Sequence, residues 1–171
     1  MHPGLVVVAA AAALVAGTID AAAAHNASPA HLEIARFEGR WIDLSEGWGS
    51  AHACLVSPGR STECFRTRAE MLVHQNELSP TLTCSSPLEL YDLTYLGGSN
   101  LFVSLRGAWV NLADFGFDNR TSSFHVGACG IDMAALANGG GARYPRCLNP
   151  GCTENTMFTG WNNVVSSVYL H

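Results

Sequence analysis

The stretch Gly-Phe-Asp-Asn-Arg-Thr-Ser-Ser-Phe-His-Val occupies residues 116–126 and returns as Gly-Trp-Asn-Asn-Val-Val-Ser-Ser-Val-Tyr-Leu at residues 160–170. Both copies contain a glycine, an aromatic residue, two Asp or Asn residues, two variable residues, and then Ser-Ser leading into an apolar alternating run. Such a repeat predicts two copies of one supersecondary unit, each with a turn that enters a strand.

The side chains of this repeat offer oxygen atoms. Carboxylate, amide, hydroxyl and main-chain carbonyl oxygens are hard ligands of the kind that Ca²⁺ prefers. Paired Asn and Asp residues also favour turns, because their side chains bond their own backbone and tolerate left-handed conformations. The residues alone therefore leave two interpretations open, a pair of calcium sites or a pair of plain turns.

The pattern [Asn/Asp]-[Asn/Asp]-x-x-[Ser/Thr]-Ser resembles the calcium-binding signature of βγ-crystallin-type Greek-key domains. The resemblance covers about residues 83–171 and implies an all-β fold, with two Greek-key motifs packed as a βγ-crystallin-like sandwich. It implies strands near residues 88–92, 101–105, 109–112 and 122–127 for the first motif, and a less regular hairpin from residue 131 for the second.

The resemblance also implies the ligands of two calcium sites. The first, second and fifth positions of the pattern would supply side-chain oxygens, and the third a main-chain carbonyl oxygen. The residues at these positions are Asp118, Asn119, Arg120 and Ser122 in the first copy, and Asn162, Asn163, Val164 and Ser166 in the second. Because only Asp118 carries a formal charge, we expect modest affinity, with the advantage at the first copy.

A second resemblance, to a bacterial secreted metalloproteinase-inhibitor family on the same scaffold, rests on residues 90–92, 97–98 and 115–123. It implies an alternative function, a secreted proteinase inhibitor whose calcium sites are structural or vestigial. The expected partners are thus the calcium ion and, in the alternative, a secreted proteinase.

The composition argues against several other functions. The net charge of −5 disfavours nucleic acid as the main partner. The nucleophile-elbow, zinc-protease and phosphate-loop motifs do not occur in the sequence. We therefore predict a non-enzymatic protein.

The chain start resembles a secretory signal. An apolar segment spans residues 5–16, and Ala22-Ala23-Ala24 offers a cleavage site. We predict a signal peptide at residues 1–24, secretion, and no membrane attachment after cleavage; an uncleaved N-terminal anchor is the alternative. An N-terminal hairpin–helix region at residues 25–82 and the double Greek-key domain at residues 83–171 follow.

The N-terminal region carries clear local signals. Ser57-Pro58-Gly59-Arg60 is a turn signal between two apolar runs and predicts a hairpin. Thr67 and Glu70 have capping-box spacing, and Glu70 can reach back, so a helix is predicted over residues 68–77. Residues 31–37 fit either a short helix or a strand.

The six cysteines, an even number, suit disulfides in an oxidising compartment. Cys54 and Cys64 would face each other across the predicted hairpin. Cys147 and Cys152 would close a short loop, although such a pair also occurs as half of a zinc site. Cys84 and Cys129 would then remain as the third pair, but six cysteines allow about 15 connectivities, so this pairing is a preference only.

Overall fold

The computed structural model describes residues 34–78 and 84–171. The predicted signal peptide at residues 1–24, residues 25–33 and residues 79–83 lie outside the described residues. The described elements, in chain order, are β1 (Ile34–Phe37), β2 (Arg40–Asp43), β3 (Ala53–Val56), β4 (Thr62–Phe65), α1 (Arg68–Leu78), β5 (Leu88–Leu93), β6 (Gly97–Val103), β7 (Trp109–Asn111), β8 (Ser123–His125), β9 (Ile131–Ala134), β10 (Thr153–Glu154) and β11 (Ser167–Leu170).

The strands of the described residues form two sheets. One has the order β10-β8-β5-β6-β3-β4-β1-β2, and the other has the order β7-β11-β9. Strand β7 of the first motif pairs with β11 of the second, while β10 of the second motif pairs with β8 of the first. Each motif thus lends its third strand to the sheet of the other. The predicted all-β fold with two Greek-key motifs is confirmed.

The second motif has a reduced hairpin. After β9 the chain passes through a 3-10 turn at Ala137–Gly139 and returns to form a single bridge between Ala134 and Arg143. The turn is closed by hydrogen bonds from the Leu136 amide to the Gly140 carbonyl and from the Ala135 amide to the Ala142 carbonyl. The second hairpin, where the sequence departs further from the family pattern, is therefore present in shortened form.

The N-terminal strands continue the larger sheet instead of forming a sheet of their own. Strand β3 pairs in parallel with β6, and β1 pairs in parallel with β4. The stretch at residues 34–37, for which helix and strand were both open, is strand β1. The hairpin–helix region and the first Greek key consequently share one hydrogen-bonded sheet.

The predicted hairpin and helix are both present. Strands β3 and β4 pair with Cys54 opposite Cys64, and α1 begins at Arg68. The Thr67 hydroxyl accepts a hydrogen bond from the Glu70 amide at 3.2 Å, as the capping-box spacing predicts. The Glu70 carboxylate reaches back to the Arg66 amide at 3.1 Å, which satisfies a second amide at the start of the helix.

The alternation of side chains along β5 explains the layers. Leu88 and Leu90 point into the core between the two sheets, while Glu89 and Tyr91 bond to Arg68 of α1 on the opposite face. On that opposite face Met71 of the helix packs in a smaller apolar cluster, which also contains Ala53, Leu55 and Phe102. The larger sheet is therefore covered by the smaller sheet on one side and by α1 on the other.

Three disulfides link the described residues: Cys54–Cys64, Cys84–Cys129 and Cys147–Cys152. These are the three preferred pairings, which are thus confirmed. Because Cys147 and Cys152 are bonded to each other, their sulfurs do not serve as half of a zinc site.

Candidate metal centre

Both copies of the repeated stretch form the same left-handed turn. Gly116 and Gly160 have φ values of 61° and 82°, and Asn119 and Asn163 have φ values of 53° and 57°. Glycine adopts this conformation without steric cost, and Asn is the side chain that tolerates it best after glycine. Backbone geometry thus accounts for the glycine and for the Asn at the second position of the pattern in each copy.

The two turns are hydrogen-bonded to each other. The Asn119 amide donates to the Val165 carbonyl at 3.1 Å, and the Asn163 amide donates to the Thr121 carbonyl at 3.0 Å. Each turn therefore satisfies a backbone donor of its own with a carbonyl of the other copy.

The serines at the fifth position of the pattern also contact the opposite copy, through their side chains. The Ser122 hydroxyl donates to the Asn163 amide oxygen at 3.1 Å, and the Ser166 hydroxyl lies 3.4 Å from the Asn119 amide oxygen. The sequence had grouped Ser122 with Asn119, and Ser166 with Asn163. The structure instead forms two mixed clusters, because the paired motifs face each other. Cluster one contains Asn119 and Ser166, and cluster two contains Asn163 and Ser122.

Further oxygen atoms neighbour the cluster residues in sequence. Asp118 and Asn162, at the first position of the pattern, are both exposed, and the Asp118 carboxylate accepts from the Asn119 side-chain amide at 2.9 Å. The main-chain carbonyls of Arg120 and Val164 accept no hydrogen bond from another described residue.

The sixth-position serines have a different role. The buried Ser123 hydroxyl donates to the Leu93 carbonyl at 2.6 Å and accepts from the Leu96 amide at 3.0 Å. Ser167, also buried, makes the equivalent bonds to the Leu136 carbonyl and the Gly139 amide. Each of these serines fastens the hairpin tip of its own motif, so it supports the fold and not the clusters.

The Arg120 side chain is a feature that sequence reasoning missed, since only its carbonyl had been considered. Its guanidinium donates to the Gly116 carbonyl at 2.8 Å and pairs with the Asp92 carboxylate at 2.7 Å. It also lies over the aromatic rings of Phe117 and Trp48, at 5.0 and 5.6 Å from their centroids. Its partner Asp92 lies 28 positions earlier in the chain, so no local sequence pattern indicates this contact.

A second polar cluster joins α1 to the Greek key. Arg68 donates to both oxygens of the buried Glu89 carboxylate at 2.9 Å and to the Tyr91 hydroxyl at 3.0 Å, and Tyr91 itself bonds to Glu89. Burial, followed by the hydrogen bond to Glu89 and its charge, raises the pKa of Tyr91 to about 12. The Arg68 guanidinium and the Glu89 carboxylate neutralise each other within this cluster, which therefore fastens α1 to strand β5.

The His, Cys, Asp and Glu side chains of the described residues do not cluster in the manner of a metal site. Within residues 34–78 and 84–171, no group of three or more His, Cys, Asp or Glu side chains is arranged to hold a metal ion. An ion bound by the repeated turns would thus rely on amide, hydroxyl and carbonyl oxygens, with Asp118 as the carboxylate closest to the clusters in sequence.

No family model and no curated protein matches the chain. Several solved structures match about half of the chain. A βγ-crystallin from Ciona intestinalis is 23% identical, with a TM-score of 0.42 over 49% of this chain and 98% of that one. A βγ-crystallin domain from Flavobacterium johnsoniae is 20% identical, with a TM-score of 0.40 over 49% and 92%. A βγ-crystallin domain from Clostridium beijerinckii is 15% identical, with a TM-score of 0.37 over 50% and 97%.

Proposed function

We propose that this protein is a non-enzymatic calcium-binding protein of modest affinity that acts after secretion. The observation that carries the proposal is the reciprocal pairing of Ser122 with Asn163 and of Ser166 with Asn119. In this pairing, side-chain oxygens of the two copies meet at two equivalent positions.

The donor set fits calcium better than it fits a softer metal. All the groups are hard oxygens, and the paired side-chain oxygens lie 3.1 and 3.4 Å apart. Neighbouring oxygens of a shell at about 2.3–2.6 Å from a Ca²⁺ ion have such separations. Asp118, Asn119, Arg120 and Ser122 of the first copy, with Asn162, Asn163, Val164 and Ser166 of the second, would hold the two ions. A bound cation would supply charge that ties the two turns together.

Secretion is supported by the covalent structure. Three disulfides are characteristic of proteins that fold in an oxidising compartment. Within the described part of the chain, no helix has the length and apolar character needed to cross a bilayer.

The test is thermal unfolding of the oxidised protein in excess Ca²⁺, in excess Mg²⁺ and in chelator. At 100 times its dissociation constant a ligand adds about 2.7 kcal/mol to the free energy of unfolding, which raises the midpoint by about 5–10 °C. We expect such a rise with Ca²⁺ and a smaller one with Mg²⁺, because Mg²⁺ demands a tighter shell.

Two isosteric variants sharpen this test. Asp118→Asn removes the charge but keeps the turn, and we expect it to weaken calcium binding by about tenfold. Glu77→Gln removes another exposed carboxylate, on α1, and should leave binding unchanged. An unfolding midpoint that is the same in Ca²⁺ and in chelator would show that the repeated stretch forms plain turns and no calcium site.

The alternative function, inhibition of a secreted proteinase, is favoured by one observation. The loop between Cys147 and Cys152 exposes Asn149, Pro150 and Gly151, and it is anchored by a 2.8 Å hydrogen bond from the Gly151 amide to the Val126 carbonyl. A rigid exposed loop binds with a small loss of conformational entropy. Micromolar protein should then inhibit a secreted metalloproteinase, and Asn149→Ala should weaken that inhibition while Asp118→Asn does not. Uninhibited enzymes across a panel would rule this function out.

A further inference from the structure

We propose that Arg120 is a positioning residue that holds the first turn (residues 116–121) in its final shape without any metal ion, whereas the second turn (residues 160–165) is ordered by the cation. The part that concerns calcium rests on the proposed function. The part that concerns the metal-free protein stands by itself.

The guanidinium of Arg120 bonds to both Gly116 and Asp92, and we call this pair of contacts the clamp. It donates to the carbonyl of Gly116, four residues earlier, and so closes the turn on itself at 2.8 Å. Its second contact, 2.7 Å to Asp92, fixes the turn to the end of β5. Both bonds involve an ionised group, and such bonds are shorter and stronger than neutral ones.

The N-terminal region covers the same turn. The Trp48 indole nitrogen donates to the Phe115 carbonyl at 2.8 Å, and the indole ring stacks on Phe117 with centroids 5.5 Å apart. A Cβ atom on Gly116 would lie 2.3 Å from the Leu44 carbonyl oxygen, so the backbones approach very closely here. The first turn is therefore covered by residues 44–48 and closed by Arg120, which itself lies over the Trp48 ring.

The second turn lacks the donor and acceptor of this clamp. Val164 occupies the position of Arg120, and its side chain has no polar atom. Since Ser123 bonds to Leu93 and Ser167 bonds to Leu136, the residue that corresponds to Asp92 is Ala135. Both turns make the reciprocal hydrogen bonds, so the clamp and the cover of residues 44–48 are what distinguish the first turn from the second.

Two kinds of site follow from this asymmetry. The first turn would bind calcium with little rearrangement, because its carbonyls are already fixed, and preorganisation lowers the entropic cost of binding. The second turn would lose conformational freedom when the ion binds. Calcium at the cluster of Asn119 and Ser166 would thus change the first turn little, and its structural response would arise in the second turn, at the cluster of Asn163 and Ser122.

Amide hydrogen exchange followed by mass spectrometry tests the clamp, first in chelator. In the parent protein we expect the amides of residues 160–165 to exchange about tenfold faster than those of residues 116–121. Arg120→Met keeps the apolar stem but removes the guanidinium, and it should raise exchange in the first turn about tenfold. Val164→Met, the matched control at the equivalent position, should leave both turns unchanged.

A gain-of-function variant keeps the test valid if Arg120→Met does not fold. Ala135→Asp combined with Val164→Arg installs the clamp in the second turn and should slow its exchange about tenfold in chelator. Equal exchange of the two turns in the parent protein, or no effect of the installed clamp, would overturn the proposal.

Calcium is then added to the same samples. Slower exchange confined to residues 160–165 supports the full inference, and equal slowing in both turns overturns the assignment of the response to the second turn. If calcium changes neither turn while the chelator results are as expected, the proposed function fails and the clamp stands.

Discussion

Ser122 and Asn163, separated by 41 positions in the chain, meet at 3.1 Å through a hydrogen bond from the serine hydroxyl to the side-chain amide oxygen. Its counterpart joins Ser166 and Asn119 at 3.4 Å. A serine of one repeat therefore completes the cluster of the other, and the two repeats are chemically coupled even without a metal ion.

This coupling predicts the outcome of a double-mutant cycle. Ser122→Ala and Asn163→Ala should show an interaction energy of about 0.5–1.5 kcal/mol in the free energy of unfolding, because each variant removes the same hydrogen bond. The strain that alanine meets at the left-handed position 163 occurs in both arms of the cycle and cancels.

The matched control is the cycle of Ser122→Ala with Asn119→Ala, a pair that lies within one repeat. Its energies should add within about 0.5 kcal/mol, since the structure places no contact between these side chains. Coupling in the control, and additivity in the cross-repeat cycle, would contradict the mixed clusters. Chemical denaturation provides the measurement.

The adjacent serines predict a contrasting effect. Ser123→Ala removes the bonds to Leu93 and Leu96 at a buried position, so it should destabilise the fold by about 1–3 kcal/mol. Ser167→Ala should act similarly. Calcium affinity, measured by titration under conditions where both variants are folded, should change less than twofold. A large loss of affinity with an unchanged unfolding midpoint would assign these serines to the metal instead.

The raised pKa of Tyr91 predicts a dependence of stability on pH. The unfolded tyrosine ionises near pH 10, whereas burial beside Glu89 raises the pKa of Tyr91 to about 12 in the folded protein. The stabilisation is therefore complete below about pH 10 and is lost as the pH rises towards 12, because the unfolded state releases this proton first.

Tyr91→Phe isolates this contribution. Denaturant unfolding of both proteins between pH 8 and about pH 11.5 should give a parent curve that falls more steeply above about pH 10, while the difference between the proteins stays constant below it. Since all other tyrosines are present in both proteins, they do not affect the difference. Parallel curves across the whole range would contradict the assigned pKa.

The disulfides predict a graded response to their removal. Cys84–Cys129 spans 45 positions and Cys147–Cys152 spans 5, and the longer loop restricts the unfolded chain more. In the chain-entropy model the first bond contributes about 4 kcal/mol and the second about 2 kcal/mol. Paired Cys→Ala variants, compared by thermal unfolding, should follow this order. The reverse order would show that native contacts outweigh loop entropy.

Much of this protein could be predicted from the sequence where the determinants are local. The left-handed turns follow from Gly116, Asn119 and their equivalents, since few side chains tolerate that backbone. The hairpin that joins Cys54 to Cys64 follows from its Pro-Gly turn, and α1 follows from the Thr67 cap. The repeat of eleven residues indicates two copies of one supersecondary unit, and its resemblance to the βγ-crystallin signature implies that they are Greek keys.

Only the tertiary structure decided which parts of the two repeats meet. Sequence periodicity places Ser122 beside Asn119 in the chain, but the exchange of strands β7 and β10 between the motifs turns each serine towards the opposite copy. The parallel pairing of β3 with β6 and the bond of Arg120 to Asp92 likewise join residues that are far apart in the sequence. Such contacts depend on the summed packing of many residues and leave no local pattern, whereas turns, caps and repeats are determined by the conformational preferences of a few adjacent residues.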